Sequence, residues 1–439
     1  MPVQSLTRGC IHTWNAILYA FVLLLVIAPP QVSALELAAE QSGTQPPSSS
    51  NPSSASQASS NGGLFGGTAE LENGVKTKGA EAGIAKSGTQ QGQQKSEFAI
   101  APLPLLNPSI GNGMGGTVLY LTPLDSNPTT PTSVFAIAGF GTGTGSWLVG
   151  LGTKLYLKND QYRITAGYGG ASLKYNYYGI GSDAGEQGLA IPFSQRSRAF
   201  VIEPMMRVFR RWYVGPRYHW ISNDVTLNQD KLQDQFGGSL PPDFVNKLPV
   251  ALPSGLNLST AALGLRVKRD TSDDEFYPHS GSVLDVKVDF FDSAVGGQLS
   301  YQDIEITYNQ YFSLGRKNVL ATHVSSCLAT NGAPFFDICL LGYSKDLRGY
   351  PIGRYRDDRM LAGQAEFRRE LFWRLGAVAF FGVGEVGNTF KDFNTSNLVP
   401  GGGVGLRYKV TKKNHLNLRA DYAWGKNSRA FYMSVGEAF

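Results

Sequence analysis

The sequence predicts an all-β protein: an antiparallel transmembrane β-barrel of about 16 strands, filling residues 97–439. Three observations carry this. Apolar and polar residues alternate with period two through most of 98–439. The polar half of the alternation holds full charges, which suit a wet lumen better than a packed core. Long and short connections alternate along the chain, as outside loops and inside turns do in outer-membrane barrels.

The chain begins with two segments that are not part of that pattern. Residues 1–34 read as a secretory signal peptide: Arg8 gives a positive start, an apolar run of about 13 residues follows from Ala16, and Val32-Ser33-Ala34 ends it with a small-x-small cleavage pattern. The run is short of the roughly 20 residues that a spanning helix needs; the alternative is an uncleaved anchor. Residues 35–96 are rich in Ser, Gln, Gly and Pro and nearly free of aromatics. They cannot bury enough apolar area to offset ordering, so they read as a disordered periplasmic linker. About 60 such residues span roughly 40–45 Å.

The strands follow in order. In SVLDVKVDFF, Leu284, Val286, Val288 and Phe290 share one face while Asp285, Lys287 and Asp289 share the other. Ile304, Ile306 and Tyr308 alternate with Asp303, Glu305 and Thr307. Leu416, Leu418, Ala420, Tyr422 and Trp424 alternate with Asn417, Arg419 and Asp421. Strands are expected to begin near 98, 112, 132, 145, 162, 196, 209, 257, 280, 298, 318, 359, 376, 399, 414 and 429. The long connections, 177–195, 223–256, 330–358 and 388–398, all follow odd strands. The first strand is the weakest, because 98–106 holds two prolines that cannot donate to a ladder. The last strand places Phe431, Met433 and Val435 on one face and is read through to Phe439. Phe431 and Phe439 are read as the aromatic signal for the outer-membrane assembly machinery.

Enzymatic chemistry finds no foothold. His12, His219, His279, His323 and His415 have no metal-ligand spacing, and no nucleophile elbow, zincin helix or P-loop is present. The acidic DTSDDE run could take Ca²⁺, but it lacks regular ligand spacing and reads better as a solvated turn. No catalytic residue, cofactor, metal or nucleic-acid partner is expected. Cys327 and Cys339 lie in an oxidising compartment and are expected to form a disulfide at the base of the loop 330–358.

That loop contains KDLRGYPIGRYRDD, an island of charge in a chain only 17% charged. Its Leu-Arg-Gly-Tyr (347–350) resembles the loop motif of the BamA/TamA superfamily of outer-membrane insertases and secretion translocators, also called bacterial surface antigens. RDTSDDEFYPHSG (269–281), LAGQAEFRREL (361–371), FFGVGEVG (380–387), PGGGVGLRY (400–408) and the run from Arg419 to Phe439 resemble further blocks of that family, in the same order. The resemblance implies that the loop folds back into the lumen. Arg348 would meet Glu366 and Glu385 on the inner wall, Gly349 would allow a tight turn and Tyr350 would pack against the wall. A guanidinium is permanently charged and its fork of donors matches a carboxylate. Val383 stands where the family has Phe, and Glu385 where it has Asp. The periplasmic POTRA repeats of the family have no counterpart in residues 35–96.

The function expected is non-enzymatic: assistance to insertion or translocation of protein or lipid at the bacterial outer membrane, with the N-terminus in the periplasm. Outer-membrane lipid, the assembly machinery and protein or lipid clients are the expected partners. A passive pore or structural surface antigen remains the alternative.

Overall fold

A computed structural model describes residues 96–439, apart from 106–111, 128–129, 188–189, 229–232, 234–254, 275, 331, 343–345, 352, 410–414 and 416. The expected signal peptide, and the expected linker up to residue 95, lie outside the described residues. The first half of the sheet comprises β1 (Glu97–Leu105), β2 (Gly113–Thr122), β3 (Ser133–Thr142), β4 (Trp147–Leu157), β5 (Tyr162–Tyr177), β6 (Ile191–Phe209), β7 (Trp212–Leu227) and β8 (Leu256–Asp270). The second half comprises β9 (Gly281–Phe291), β10 (Tyr301–Ser313), β11 (Asn318–Ala329), β14 (Arg359–Glu370), β15 (Leu375–Gly387), β16 (Val399–Lys409), β17 (Asn417–Gly425) and β18 (Ser428–Val435). Each strand pairs antiparallel with its neighbours in this order, from β1 at one end to β18 at the other. Between β11 and β14 the loop carries its own hairpin, β12 (Cys339–Leu341) with β13 (Tyr355–Asp357). The period-two reading did not anticipate that hairpin, because three-residue strands are too short to show a period. One short helix, α1 (Ser182–Gln187), lies in the β5–β6 connection.

The sheet has an inverted pattern of burial. On β8, Leu263 and Leu265 are 52% and 46% exposed, whereas Arg266 and Lys268 are 4% and 5% exposed. On β9, Asp285, Lys287 and Asp289 are buried and Phe290 is exposed. Phe135, Ile137, Val149, Leu151, Phe381, Val404, Leu406 and Tyr422 continue the apolar outer face. In water such a face is unfavourable by about 25 cal/mol per Å². Against hydrocarbon it is the stable arrangement, with the charges kept inside.

The inner charges are paired across strands. Glu203 on β6 receives Arg217 of β7 at 3.0 Å and also Arg266 of β8. Arg217 in turn reaches Asp289 of β9, and Lys287 meets Glu305 of β10 at 2.5 Å. Glu203 and Arg217 were not singled out in the sequence.

Among the described residues, the turns after even strands lie at one end of the sheet and the loops after odd strands at the other. The even turn 271–280 is closed by its own acids. Asp273 accepts from the backbone N–H of His279 and Ser280 at 2.9 and 3.0 Å, and Asp274 from Phe276 and Tyr277 at 2.8 and 2.9 Å. These carboxylates thus serve as turn caps.

Candidate functional site

The loop between β11 and β14 lies against the inner face of the sheet. Asp346, Leu347, Arg348, Tyr350, Arg354, Tyr355, Arg356 and Asp357 are all buried. The groove that receives it is made by the inward positions of β16, which are Gly401, Gly403, Gly405 and then Arg407. A Cβ on Gly401 would stand 2.4 Å from the carbonyl oxygen of Arg348, and one on Gly405 would stand 2.0 Å from Asp421 Oδ1. Three side chains are missing from the wall where the loop backbone and its partners need the room.

Arg348 is fully buried, and each nitrogen of its guanidinium faces an oxygen of the wall. It lies 2.6 Å from Glu366 Oε2 on β14 and 2.7 Å from Asp421 Oδ2 on β17, and Nε donates to Gln364 Oε1 at 3.2 Å. Its guanidinium stacks on Phe380 of β15, 3.4 Å from the ring centroid. Gly349 has φ +118°, and its N–H donates to the Tyr432 hydroxyl at 2.9 Å. A Cβ there would stand 2.8 Å from the Trp424 backbone, so the position needs glycine twice over. Tyr350 donates its hydroxyl to the Pro400 carbonyl and accepts from the Lys426 N–H at 2.6 Å. Burial pushes its phenol up to about 12, so it stays a donor.

The other charges of the loop knit it to its surroundings. Arg354 donates to the carbonyl of Gly185 in α1 at 3.0 Å, and Arg356 to those of Gly353 and Phe335 at 3.1 Å each. The Gly181 N–H returns a bond to Arg356 O at 2.8 Å. Cys327 on β11 and Cys339 on β12 form a disulfide with Cα atoms 5.6 Å apart, tying the loop hairpin to the wall.

Glu385 is not a partner of Arg348. It falls on the odd positions of β15, the parity of the exposed Phe381, whereas Phe380 beneath Arg348 falls on the even ones. Its Oε1 accepts instead from the Asn394 N–H at 2.8 Å in the β15–β16 loop. The second acid is Asp421. Its signal was in the sequence, as an inward position alternating with Tyr422 and Trp424, but nothing local singles it out from the other wall charges.

The C-terminal strand also differs from its reading. β18 ends at Val435, with Phe431 on the outward parity. Gly436, at φ +94°, turns the chain inward, and Phe439 stacks on His323 of β11 with ring centroids 4.9 Å apart. Phe431 and Phe439 therefore do not share a face.

A cavity of about 430 Å³ remains in the other half of the interior. It is lined by Arg217, His219, Lys287, Asp289, Asp303 and Glu305 among others.

An apolar outer face, a charged interior and a loop arginine buried against wall carboxylates define an outer-membrane β-barrel with an inward-folded loop. Residues 149–439 match the Omp85 superfamily domain, and the chain belongs to that superfamily. No curated protein matches the sequence. Solved structures share the fold, among them the following two. BamA from Haemophilus ducreyi lacking POTRA domains 1–3 aligns with TM-score 0.50 at 12% identity, over 79% of this chain and 71% of that one. CdiB from Escherichia coli aligns with TM-score 0.53 at 10% identity, over 79% of this chain and 62% of that one. The chain thus spans less than two thirds of that CdiB chain.

Proposed function

We propose that the sheet closes as a barrel of about 16 strands in the bacterial outer membrane, with the even turns and the N-terminal segment in the periplasm. In this reading the barrel assists insertion or translocation of protein or lipid by opening between β1 and β18. The observation that carries it is the seam. β1 and β18 are the two ends of the hydrogen-bonded order, with no ladder between them among the described residues. Pro102 and Pro104 give β1 no N–H at two positions. The wall is also lowest there: the 8 residues of β18 extend roughly 27 Å, against roughly 64 Å for the 19 of β6. A short wall thins the adjoining bilayer, and a weak seam lowers the barrier to lateral opening. The arginine loop acts as an internal latch, holding β14 to β17 rigid so that opening is confined to the seam.

The test is a cysteine pair across β1 and β18. Oxidised, it should abolish the protein's ability to speed folding of a second outer-membrane chain into vesicles, and reduction should restore it. Equal activity in both states would rule the reading out. The cavity of about 430 Å³ favours one other reading, a passive pore. Steady single-channel currents that persist with the seam locked would support the pore.

A further inference from the structure

The inward turn at Gly436 brings residues 437–439 into a cradle of wall side chains. Glu437 Oε2 lies 2.6 Å from Arg407 Nε and 3.8 Å from Arg368 Nε, and Oε1 accepts from Asn417 Nδ2 at 2.7 Å. The backbone oxygen of Phe439 accepts from Arg368 at 2.7 Å. Its ring packs on His323 and on the cluster of Tyr311, Val319 and Ala321. Arg368 and Arg407 are buried.

The charge balance shows what the cradle requires. Glu366 faces Arg348 at 2.6 Å, Arg368 at 2.7 Å and Arg407 at 3.5 Å. Asp421 faces Arg348 and Arg407. Arg348, Arg368 and Arg407 therefore share two wall carboxylates, with the buried Arg419 also acting on Asp421, and Glu437 supplies a further acid. Without it, two buried arginines are short of acceptors, which a low-dielectric site tolerates poorly. The bound segment is also lightly held by backbone: Gly436 N–H donates to Asn417 O at 2.7 Å, and the remaining contacts named here are made by side chains and one carbonyl. A second cavity, of about 150 Å³, adjoins the cradle and shares Arg407 and Asn417 with it. Its other walls, Lys317 and Phe372 to Arg374, belong to even turns, so the cradle opens towards that end of the sheet.

We infer that this cradle is a peptide-binding site for an acidic residue two positions before an aromatic one, filled in cis by Glu437 and Phe439 and open to the same pattern from a second polypeptide. The acid completes the arginine cluster, the ring replaces Phe439 on His323, and the backbone oxygen of the aromatic residue meets Arg368. The direction of entry rests on the proposed barrel, with the even turns facing the periplasm.

The test uses the chain in nanodiscs and a fluorescent Gly-Glu-Ala-Phe peptide, capped at both ends. Deletion of residues 436–439 should raise peptide affinity at least about tenfold over the full chain, because it removes the competitor. A peptide with glutamine for glutamate or alanine for phenylalanine should lose most of that gain. So should Arg407→Gln in the deleted chain. Where the deletion impairs assembly, Glu437→Gln/Phe439→Ala in the full chain should raise affinity in the same direction. Heat-modifiable migration reports the barrel separately. An intact barrel whose peptide binding is unchanged in the loosened chains, or insensitive to Arg407→Gln, overturns the peptide site and leaves the barrel standing. Loss of heat-modifiability in the unaltered chain overturns the barrel instead.

Discussion

Arg348 and Glu366 meet at 2.6 Å with neither side chain reaching solvent. The first belongs to a loop and the second to the wall, so this contact fixes a mobile class of element to a rigid one. Glu366 also holds Arg368 and lies near Arg407, the two residues that hold Glu437. Loop and tail are therefore joined through one carboxylate.

Removing one partner of a buried pair strands the other, at a cost of about 3–5 kcal/mol. Arg348→Ala should lower the thermal midpoint of heat-modifiable migration and open the loop to proteolysis within 346–357. Glu366→Gln should do the same and also expose the tail, because it loosens three arginines at once. Unchanged protease resistance in both would show that the loop is held without the pair.

Glu385→Gln should behave differently. Its contact is one backbone N–H in the β15–β16 loop, worth about 1.5–3 kcal/mol for a bond to a charged group. Protease sensitivity should rise in 388–398 only, with the Arg348 loop unaffected. A Glu385 effect equal to that of Glu366 would contradict the wall geometry.

Filling the groove should expel the loop. At Gly401 a side chain would collide with the Arg348 carbonyl, which is backbone and cannot swing aside. Gly401→Val should abolish loop docking, read as new cleavage near Tyr350, and cost more than Gly402→Ala at the neighbouring outward-parity position.

The disulfide closes a separation of 12 residues. By chain entropy it stabilises the loop by about 3 kcal/mol. Cys327→Ser/Cys339→Ser should lower the thermal midpoint by an amount that dithiothreitol reproduces in the unaltered chain and does not add to in the variant.

Asp337 in the same loop gives a pH signature. Burial pushes its carboxyl above the ordinary value, although the Tyr301 hydroxyl and Thr260 donate to it. A raised acid contributes stability that is fully present below the unfolded value, about 3.9, and is lost as pH rises through the folded one. Asp337→Asn should therefore equal or exceed the unaltered chain in thermal midpoint at pH 7, and the difference should shrink below about pH 4. A large loss at pH 7 would mean that the charged form is the one the loop requires.

Much of the sheet was legible because strand alternation is a local property. The expected starts at 162, 318, 359 and 399 coincide with those of β5, β11, β14 and β16, and the start near 257 lies one residue from that of β8. The start near 196 missed β6, which begins at Ile191 in a mixed stretch where Pro192 and Phe193 obscure the period. At the site, the motif residues Arg348, Gly349 and Tyr350 were named from the chain, whereas Asp421, Arg368, Arg407 and Glu437 were not. The first three are ordinary inward charges until the sheet curves and brings β14, β16 and β17 to one point, and Glu437 joins them only because the chain turns inward at Gly436, beyond β18.

The sequence by itself determined the alternation, the inner and outer parity of strands such as β9, β10 and β17, the charged loop and the two cysteines, because each is written in neighbouring residues. Only the tertiary structure decided which carboxylate Arg348 takes, that Glu385 belongs to another loop, and that the chain turns inward after Val435. Those outcomes depend on parity and height across strands far apart in sequence, and on the room left by three glycines of β16, so no local pattern could state them.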